Sequence, residues 1–326
     1  MLKFFIFVAI QVGALSLVRA SCLSEFIVET ENQTQALERK YLSIDSDEDS
    51  IQEINRPFVL KGSKREAVFL VHGFMGSPEE MRAIAQKINA LGYTTYAGLI
   101  PGYGMTARVA NQYQHADWSR WYRQEIQRLQ ACYPKIHLVG FSTGALLATD
   151  YVVQNPNDST VKSVTLLSPY YEIHNVFLAV LQSGVANLLN QISVNFVYHV
   201  LGFPDVGVML EKPMAYLQNV PLGAAQEVVA LGRKVQIKVK QKTERMKASD
   251  LPVSVPALVF ISGDDLVIDQ DVANELTLNV FSDRKVIYRK AKAGSDTRVP
   301  HHLMVKEVSP VVRSTENRIV EFYQSL

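Results

Sequence analysis

The sequence predicts an α/β protein: a mostly parallel central sheet with helices on both faces, interrupted by a helical cap insertion. Three observations predict it. Short apolar runs alternate along the chain with segments whose apolar residues recur at helical spacing. That alternation stops between about 171 and 252, where strand signals are weak. A Gly-x-Ser-x-Gly turn, Gly140-Phe141-Ser142-Thr143-Gly144, stands between a strand and a helix. No internal repeat of solenoid period is visible.

The elements follow in order. Residues 21–56 are rich in Glu, Asp, Ser and Gln and read as a lead-in with little core. Phe58–Leu60 and Ala67–Val71 are strands, the second a compact apolar run ending at His72-Gly73. Ser77 as N-cap, Pro78 at N1 and Glu80 at N3 open a helix that stops at Gly92. Thr94–Ile100 is a strand, followed by the turn Pro101-Gly102-Tyr103-Gly104. Asp117 caps a helix running through Trp118, Trp121 and Leu129. Then come the strand Ile136–Val139, the helix Ala145–Val153 and the strand Val161–Leu167. Beyond the cap lie the strand Ala257–Ser262, the helix Val272–Phe281, the strand Val286–Tyr288 and a helix near Glu316–Tyr323. The core thus spans 57–170 and 253–326, with 171–252 inserted as the cap.

Composition sets limits. With 326 residues, 48% hydrophobic and 20% charged, the chain is an ordinary globular protein with ample core. Its 33 basic and 32 acidic residues nearly cancel and form no basic block, so nucleic acid is not an expected partner. Residues 1–20 differ: Lys3, an apolar run from Phe4 to Val18, then Val18-Arg19-Ala20. This is a signal-peptide pattern with cleavage after Ala20, which implies a secreted or periplasmic protein. The run, about 15 residues, falls short of the roughly 20 needed to span a bilayer. Cys22 stands where a lipoprotein cysteine would, but Arg19 occupies a position normally apolar. The other cysteine is Cys132. A bridge is chemically allowed outside the cytoplasm; two independent thiols are the preferred reading.

Candidate chemistry centres on Ser142. A strand–turn–helix setting is what a nucleophile elbow requires, lifting the hydroxyl above the sheet edge. In folds built around such an elbow, a His-Gly-x turn like His72-Gly73-Phe74 points a backbone N–H into the site, so Phe74 and Thr143 amides are the expected oxyanion donors. His72 itself reads as structural. An elbow-type triad runs Ser, then Asp or Glu, then His. Asp265, followed by apolar Leu266-Val267-Ile268, is the chosen acid, with Asp264 as alternative. Of the seven histidines only His301 and His302 follow, and His302 is favoured over His301 as base. Neighbouring side chains diverge and no Cys/His cluster or HExxH spacing exists, so no metal and no cofactor is expected.

These segments together resemble the α/β-hydrolase superfamily, and within it bacterial carboxylesterases and monoacylglycerol-lipase-like members. The resemblance is carried by Val71-His72-Gly73-Phe74-Met75-Gly76-Ser77-Pro78, Pro101-Gly102-Tyr103-Gly104, Asp117-Trp118, the elbow, and Gly263-Asp264-Asp265-Leu266-Val267. It covers about residues 57–326, most weakly in the cap. It implies a serine esterase or lipase acting on acyl esters or lipids through an acyl-enzyme. The chain departs from the family in having Tyr103 where Gly-His-Gly is usual, and two adjacent histidines where one is usual.

Within the cap, Phe177, Val180, Leu181, Val185, Leu188 and Leu189 fit an amphipathic helix. Part of its apolar face is expected to line an acyl pocket suited to medium chains, with the cap the place for peripheral membrane contact. The basic stretch 232–249 reads as a solvated helix face. Rival readings are a thioesterase, peptidase or acyltransferase on the same triad, a non-catalytic binding protein on the same fold, and a dinucleotide enzyme suggested only by Gly102-x-Gly104-x-x-Ala107.

Overall fold

The structure, a computed structural model, describes residues 2–41, 51–173, 192–193, 217, 219–244, 251–290, 299–306 and 309–326. Seven strands form one sheet: β1 (Phe58–Leu60), β2 (Glu66–Val71), β3 (Thr94–Gly98), β4 (Lys135–Phe141), β5 (Val161–Leu167), β8 (Ala257–Ser262) and β9 (Arg284–Arg289). Their spatial order is β1-β3-β2-β4-β5-β8-β9, with β1 antiparallel to β3 and every other pairing parallel. β6 (Ile192–Ser193) and β7 (Asn219–Val220) pair separately. The central strands β2, β4 and β8 are buried on both faces, which is why β2 and β8 read as apolar runs and β4 is interrupted only by buried His137, whose ring meets the Ser163 hydroxyl.

The topology places the site. From β2 the chain passes to β3 on one side and then returns across to β4 on the other. Connections leaving two adjacent strands in opposite directions open a crevice at their carboxyl ends. The strand ends at that crevice are Val71 and Phe141, and the residues that follow are His72-Gly73 and Ser142.

Helices cover both faces: α2 (Arg82–Ala90), α3 (Ala107–Ala110), α4 (His115–Cys132), α5 (Thr143–Gln154), α6 (Leu222–Glu244), α7 (Gln270–Val280) and α8 (Val312–Ser325). One apolar cluster lies under α4, α5 and α6, the other under α2 and α8. The helix expected from Ser77 begins later: Pro78–Met81 is a 3-10 turn, Ser77 makes no side-chain cap, and α2 starts at Arg82. Asp117 sits at N3 of α4 and its carboxylate accepts the Gln114 N–H at 3.1 Å, so the helix starts two residues before it. Asp269, not Asp264 or Asp265, caps α7.

The lead-in differs most from expectation. The chain from Leu2 to Tyr41 is one helix, α1, and its second half packs on α4. Leu23, Phe26, Thr30, Thr34, Glu38 and Tyr41 are buried, spaced three or four apart. Half of that face is polar, and it is buried because its groups are satisfied. Thr30 and Thr34 hydroxyls donate to carbonyls one turn back, and Glu38 accepts from Arg56 and the Ile51 N–H. Apolar periodicity alone cannot see such a face. Cys22 and Cys132 form a disulfide between α1 and α4, with Cα atoms 5.6 Å apart. This corrects the reading of two independent thiols; α1 brings together residues 110 apart in sequence.

α6 belongs to the expected cap yet packs on the core, burying Leu222, Ala225, Val228, Leu231, Val235 and Val239 against α4 and α5. Gly232 lets it approach: a Cβ there would lie 2.4 Å from the Tyr171 carbonyl oxygen. Two of its lysines do more than face solvent, since Lys242 donates to the Val153 carbonyl and Lys238 lies 3.9 Å from buried Asp150. The amphipathic helix expected over 177–189 and its acyl-pocket face lie outside the described residues.

Candidate active site

β4 ends in a turn whose middle residue, Ser142, has φ 51° and ψ −110°. A non-glycine side chain in this region is strained by about 1–3 kcal/mol and is tolerated only where the surroundings enforce it. They do. The Ser142 N–H donates to the Leu167 carbonyl at 2.9 Å, and its own carbonyl accepts Leu146 N–H at 3.0 Å and Tyr170 N–H at 3.3 Å. The two glycines are steric necessities. A Cβ on Gly140 would lie 2.4 Å from the Ala145 nitrogen, and one on Gly144 would lie 2.1 Å from the Val71 carbonyl oxygen. Ser142 thus lies between β4 and the N-terminus of α5, whose first amide, Thr143 N–H, has no intrahelical acceptor.

The turn after β2 abuts this serine: a Cβ on Gly73 would come within 3.2 Å of Ser142 Cβ. His72 shapes the turn. Its Nε2 accepts the Ile100 N–H at 3.1 Å, so its Nδ1 carries the proton and donates to the Gly73 carbonyl at 2.8 Å. Burial pushes its pKa down to about 4, so the ring is a neutral strut. The Gly73 carbonyl also accepts Gly76 N–H at 3.2 Å. Because C=O and N–H of one trans peptide point oppositely, fixing this carbonyl fixes the direction of the Phe74 N–H. Met75 follows with φ 64°, and Leu217 N–H donates to its carbonyl at 3.0 Å. Tyr103, which stands where the family usually has histidine, is fully buried, edge-on to both His72 and Phe74.

The two carboxylates after β8 have different partners. Asp265 is buried; its Oδ1 accepts Val267 N–H at 2.8 Å and Ile268 N–H at 3.2 Å, and its Oδ2 meets His301 Nδ1 at 2.7 Å. Asp264 instead accepts the Val299 N–H at 3.2 Å, anchoring the loop after β9. The expectation that Asp265 orients His302 is therefore corrected: the ring against Asp265 is His301. Successive residues send their side chains in different directions, and local sequence does not say which one the loop turns toward Asp265. His301 is held from behind by Ser168, whose hydroxyl donates to its carbonyl at 2.9 Å. Both histidine rings pack on Phe141, with centroids at 5.1 and 5.3 Å. With Nδ1 engaged by Asp265, the Nε2 of His301 is on the opposite edge of the ring, the arrangement a general base needs.

His302 is also buried. Its Nε2 lies 3.8 Å from Glu80 Oε1, and burial together with the neighbouring His301 pushes its pKa down to about 3. Glu80 is a residue the sequence reading assigned to helix capping. Instead its Oε2 accepts the Gly73 N–H at 2.7 Å, and Gly76 leaves it room, since a Cβ there would lie 2.8 Å from that oxygen. Ser168, at φ 42° after β5, stands in no sequence motif that would single it out. Among the described residues no cluster of three or more His, Cys, Asp or Glu is arranged to hold a metal ion.

The family model that matches the chain, over residues 62–292, is a hydrolase family described as serine aminopeptidase, S33. A thermostable monoacylglycerol lipase of Bacillus sp. (strain H-257) is 25% identical over 223 residues, 68% of this chain and 79% of that protein. A carboxylesterase of Bacillus subtilis (strain 168) is 29% identical over 94 residues, 28% of this chain and 38% of that one. Among solved structures, one of the metagenome-derived lipolytic enzymes LipS and LipT superposes with a TM-score of 0.64 at 18% identity, covering 85% of this chain and all of that one. The Paleococcus ferrophilus monoacylglycerol lipase superposes with 0.60 at 16% identity, covering 82% and 98%.

Proposed function

Since the chain belongs to the serine aminopeptidase S33 family of the α/β-hydrolase superfamily, we propose that it is a secreted or periplasmic serine esterase of the lipase type, hydrolysing acyl esters through Ser142, Asp265 and His301. The observation that carries this reading is the backbone of Ser142, a strained φ 51°, ψ −110° held at the crevice between β2 and β4. Strain of that kind is retained where exposing one side chain matters to chemistry. His301 takes the Ser142 proton as Ser142 attacks the acyl carbon, and Asp265 stabilises the imidazolium. Phe74 and Thr143 amides receive the oxyanion; one such donor contributes about 3–4 kcal/mol. His301 then protonates the leaving alcohol, and water activated by the same ring releases the acid.

The ester preference is supported by the lipase and carboxylesterase relatives. The family description, an aminopeptidase, keeps amide cleavage as the second reading, since one triad serves both bonds. Export is supported by the leader pattern at 1–20 and by the Cys22–Cys132 bridge, which persists in oxidising compartments and occupies the sulfur that lipidation would need.

One experiment tests the whole reading. The full chain is expressed with its leader and recovered from the extracytoplasmic fraction, where its mass is expected to start at Ser21. It is assayed on p-nitrophenyl esters from acetyl to palmitoyl and on aminoacyl anilides, beside Ser142→Ala. Ester hydrolysis lost in the variant, with an optimum at medium chain length, is expected. Anilide cleavage without ester cleavage would transfer the assignment to the peptidase reading, and retained activity in Ser142→Ala would end the triad.

A further inference from the structure

One departure from the usual family pattern, the second histidine, meets a buried acid in this chain. His302 is the second histidine of the pair, and Glu80 is the buried acid behind the oxyanion turn. We propose that Glu80 and His302 form a positioning pair that ties the turn carrying the Phe74 N–H to the loop carrying His301. The proposal rests on the esterase reading above and adds residues to it.

The geometry is specific. Glu80 Oε2 accepts the Gly73 N–H at 2.7 Å, so one carboxylate oxygen holds the peptide immediately before the Gly73–Phe74 unit. Its other oxygen faces His302 Nε2 at 3.8 Å. That is beyond a direct hydrogen bond, which lies near 2.7–3.2 Å. A cavity of about 10 Å³, lined by both residues with Met81, Phe141, Met304 and Val305, lies beside the pair. It is of the size at which one bridging water fits. Both side chains are almost wholly buried, 3% and 6% exposed, so bulk water competes little for a hydrogen bond relayed between the carboxylate and the neutral imidazole.

The consequence is coupling between two strand ends. The turn after β2 sets where the oxyanion is received, and the loop after β9 sets where the proton goes. Each is an irregular segment, and a misplacement of about 1 Å at either can lower turnover by roughly a hundredfold. Gly76 and His302 are both needed: the first for the space Glu80 fills, the second to face its outer oxygen. Glu80 and His302 are positioning residues, acting through Gly73 and through the loop that carries His301.

The test is a double-mutant cycle read in two ways. Steady-state hydrolysis is measured for Glu80→Ala, His302→Ala and the double variant, with Glu80→Gln as a conservative control that keeps an acceptor for Gly73. The expected result is a kcat loss of about 10- to 100-fold in Glu80→Ala with KM changed less than threefold. Glu80→Gln should recover most of that loss, and the double variant should be no worse than the poorer single. Amide hydrogen exchange of the peptide containing residues 72–76 is followed in the same samples, and in Glu80→Gln should any alanine variant fail to fold. Faster exchange is expected in Glu80→Ala and, to a smaller degree, in His302→Ala. Multiplying losses in the double variant, or unchanged exchange in both singles, would overturn the pairing. If wild type cleaves no ester, the exchange measurement still decides the pair while the functional reading fails separately.

Discussion

His301 and His302 are neighbours in the chain with opposite surroundings. His301 Nδ1 is 2.7 Å from a carboxylate whose other oxygen is saturated by two backbone amides, so that carboxylate cannot turn away. His302 faces a carboxylate already committed to Gly73. The prediction is that His301→Ala lowers kcat by at least about 1000-fold, as loss of a triad member does, whereas His302→Ala costs roughly tenfold. Pre-steady-state and steady-state turnover of one p-nitrophenyl ester measure both. A larger loss in His302→Ala than in His301→Ala would reverse the assignment. At this scale the strained turn at Ser142, the position of Asp265 after β8 and the structural role of His72 were legible, because each stands beside glycines or apolar runs that only one geometry accommodates. The histidine choice was not, because it depends on how the loop after β9 turns toward β8. Glu80 was misread for a related reason: an acid at N3 of a helix is normally a cap, and only the folded turn shows that its carboxylate is spent on Gly73.

At the scale of elements, the seven strands of the main sheet were read to within a residue or two, helix starts less well, and the short β6–β7 pair within the expected helical cap not at all. The largest discrepancy is α1, whose buried face mixes Leu23 and Phe26 with Thr30, Thr34 and Glu38. It is held by the Cys22–Cys132 bridge, by Phe26 edge-on to Tyr96 at 4.9 Å, and by Arg128 of α4, which donates to the Phe26 carbonyl, Thr30 and buried Glu125. A bridge closing 110 residues can restrict the unfolded chain by at most about 4–5 kcal/mol. Cys22→Ser/Cys132→Ser, or reduction of the wild type, is therefore expected to lower the thermal midpoint by roughly 5–10 °C. The catalytic constants of the folded fraction should be little changed, since the bridge lies between α1 and α4 rather than at the strand ends. Calorimetry with and without reductant measures this; an unmoved midpoint would mean that packing alone docks α1.

At the scale of the whole molecule, buried histidines make stability depend on pH. Burial pushes His72 from 6.5 down to about 4 and His302 down to about 3, and it lowers His137 despite Glu66 beside it. Below pH 6.5 the unfolded chain takes up protons on these rings that the folded chain refuses. Their contribution is therefore fully present above pH 6.5 and is lost as pH falls toward 4 and 3. Each ring adds a slope approaching roughly 1.4 kcal/mol per pH unit within its window. Urea unfolding between pH 7 and 5 should show stability falling with pH, and His72→Gln should make the fall shallower. An unchanged slope in that variant would mean that His72 is protonated in the folded state.

The alternation of strands and helices, the elbow at Ser142 and the glycine turn after β2 were all readable from local sequence. Each is a local matter: apolar runs with one period, and glycines at places where a Cβ would strike neighbouring backbone, as at Gly140 and Gly144. Only the folded chain shows that His301 rather than His302 meets Asp265, that Glu80 holds Gly73, that α1 docks on α4 and that Cys22 meets Cys132. Those depend on contacts between residues far apart in the chain, such as Asp265 with His301 and Cys22 with Cys132. A hydrogen-bonding or sulfur-bearing side chain carries no periodicity that announces its partner, so the pairing exists only once the sheet has brought the strand ends together.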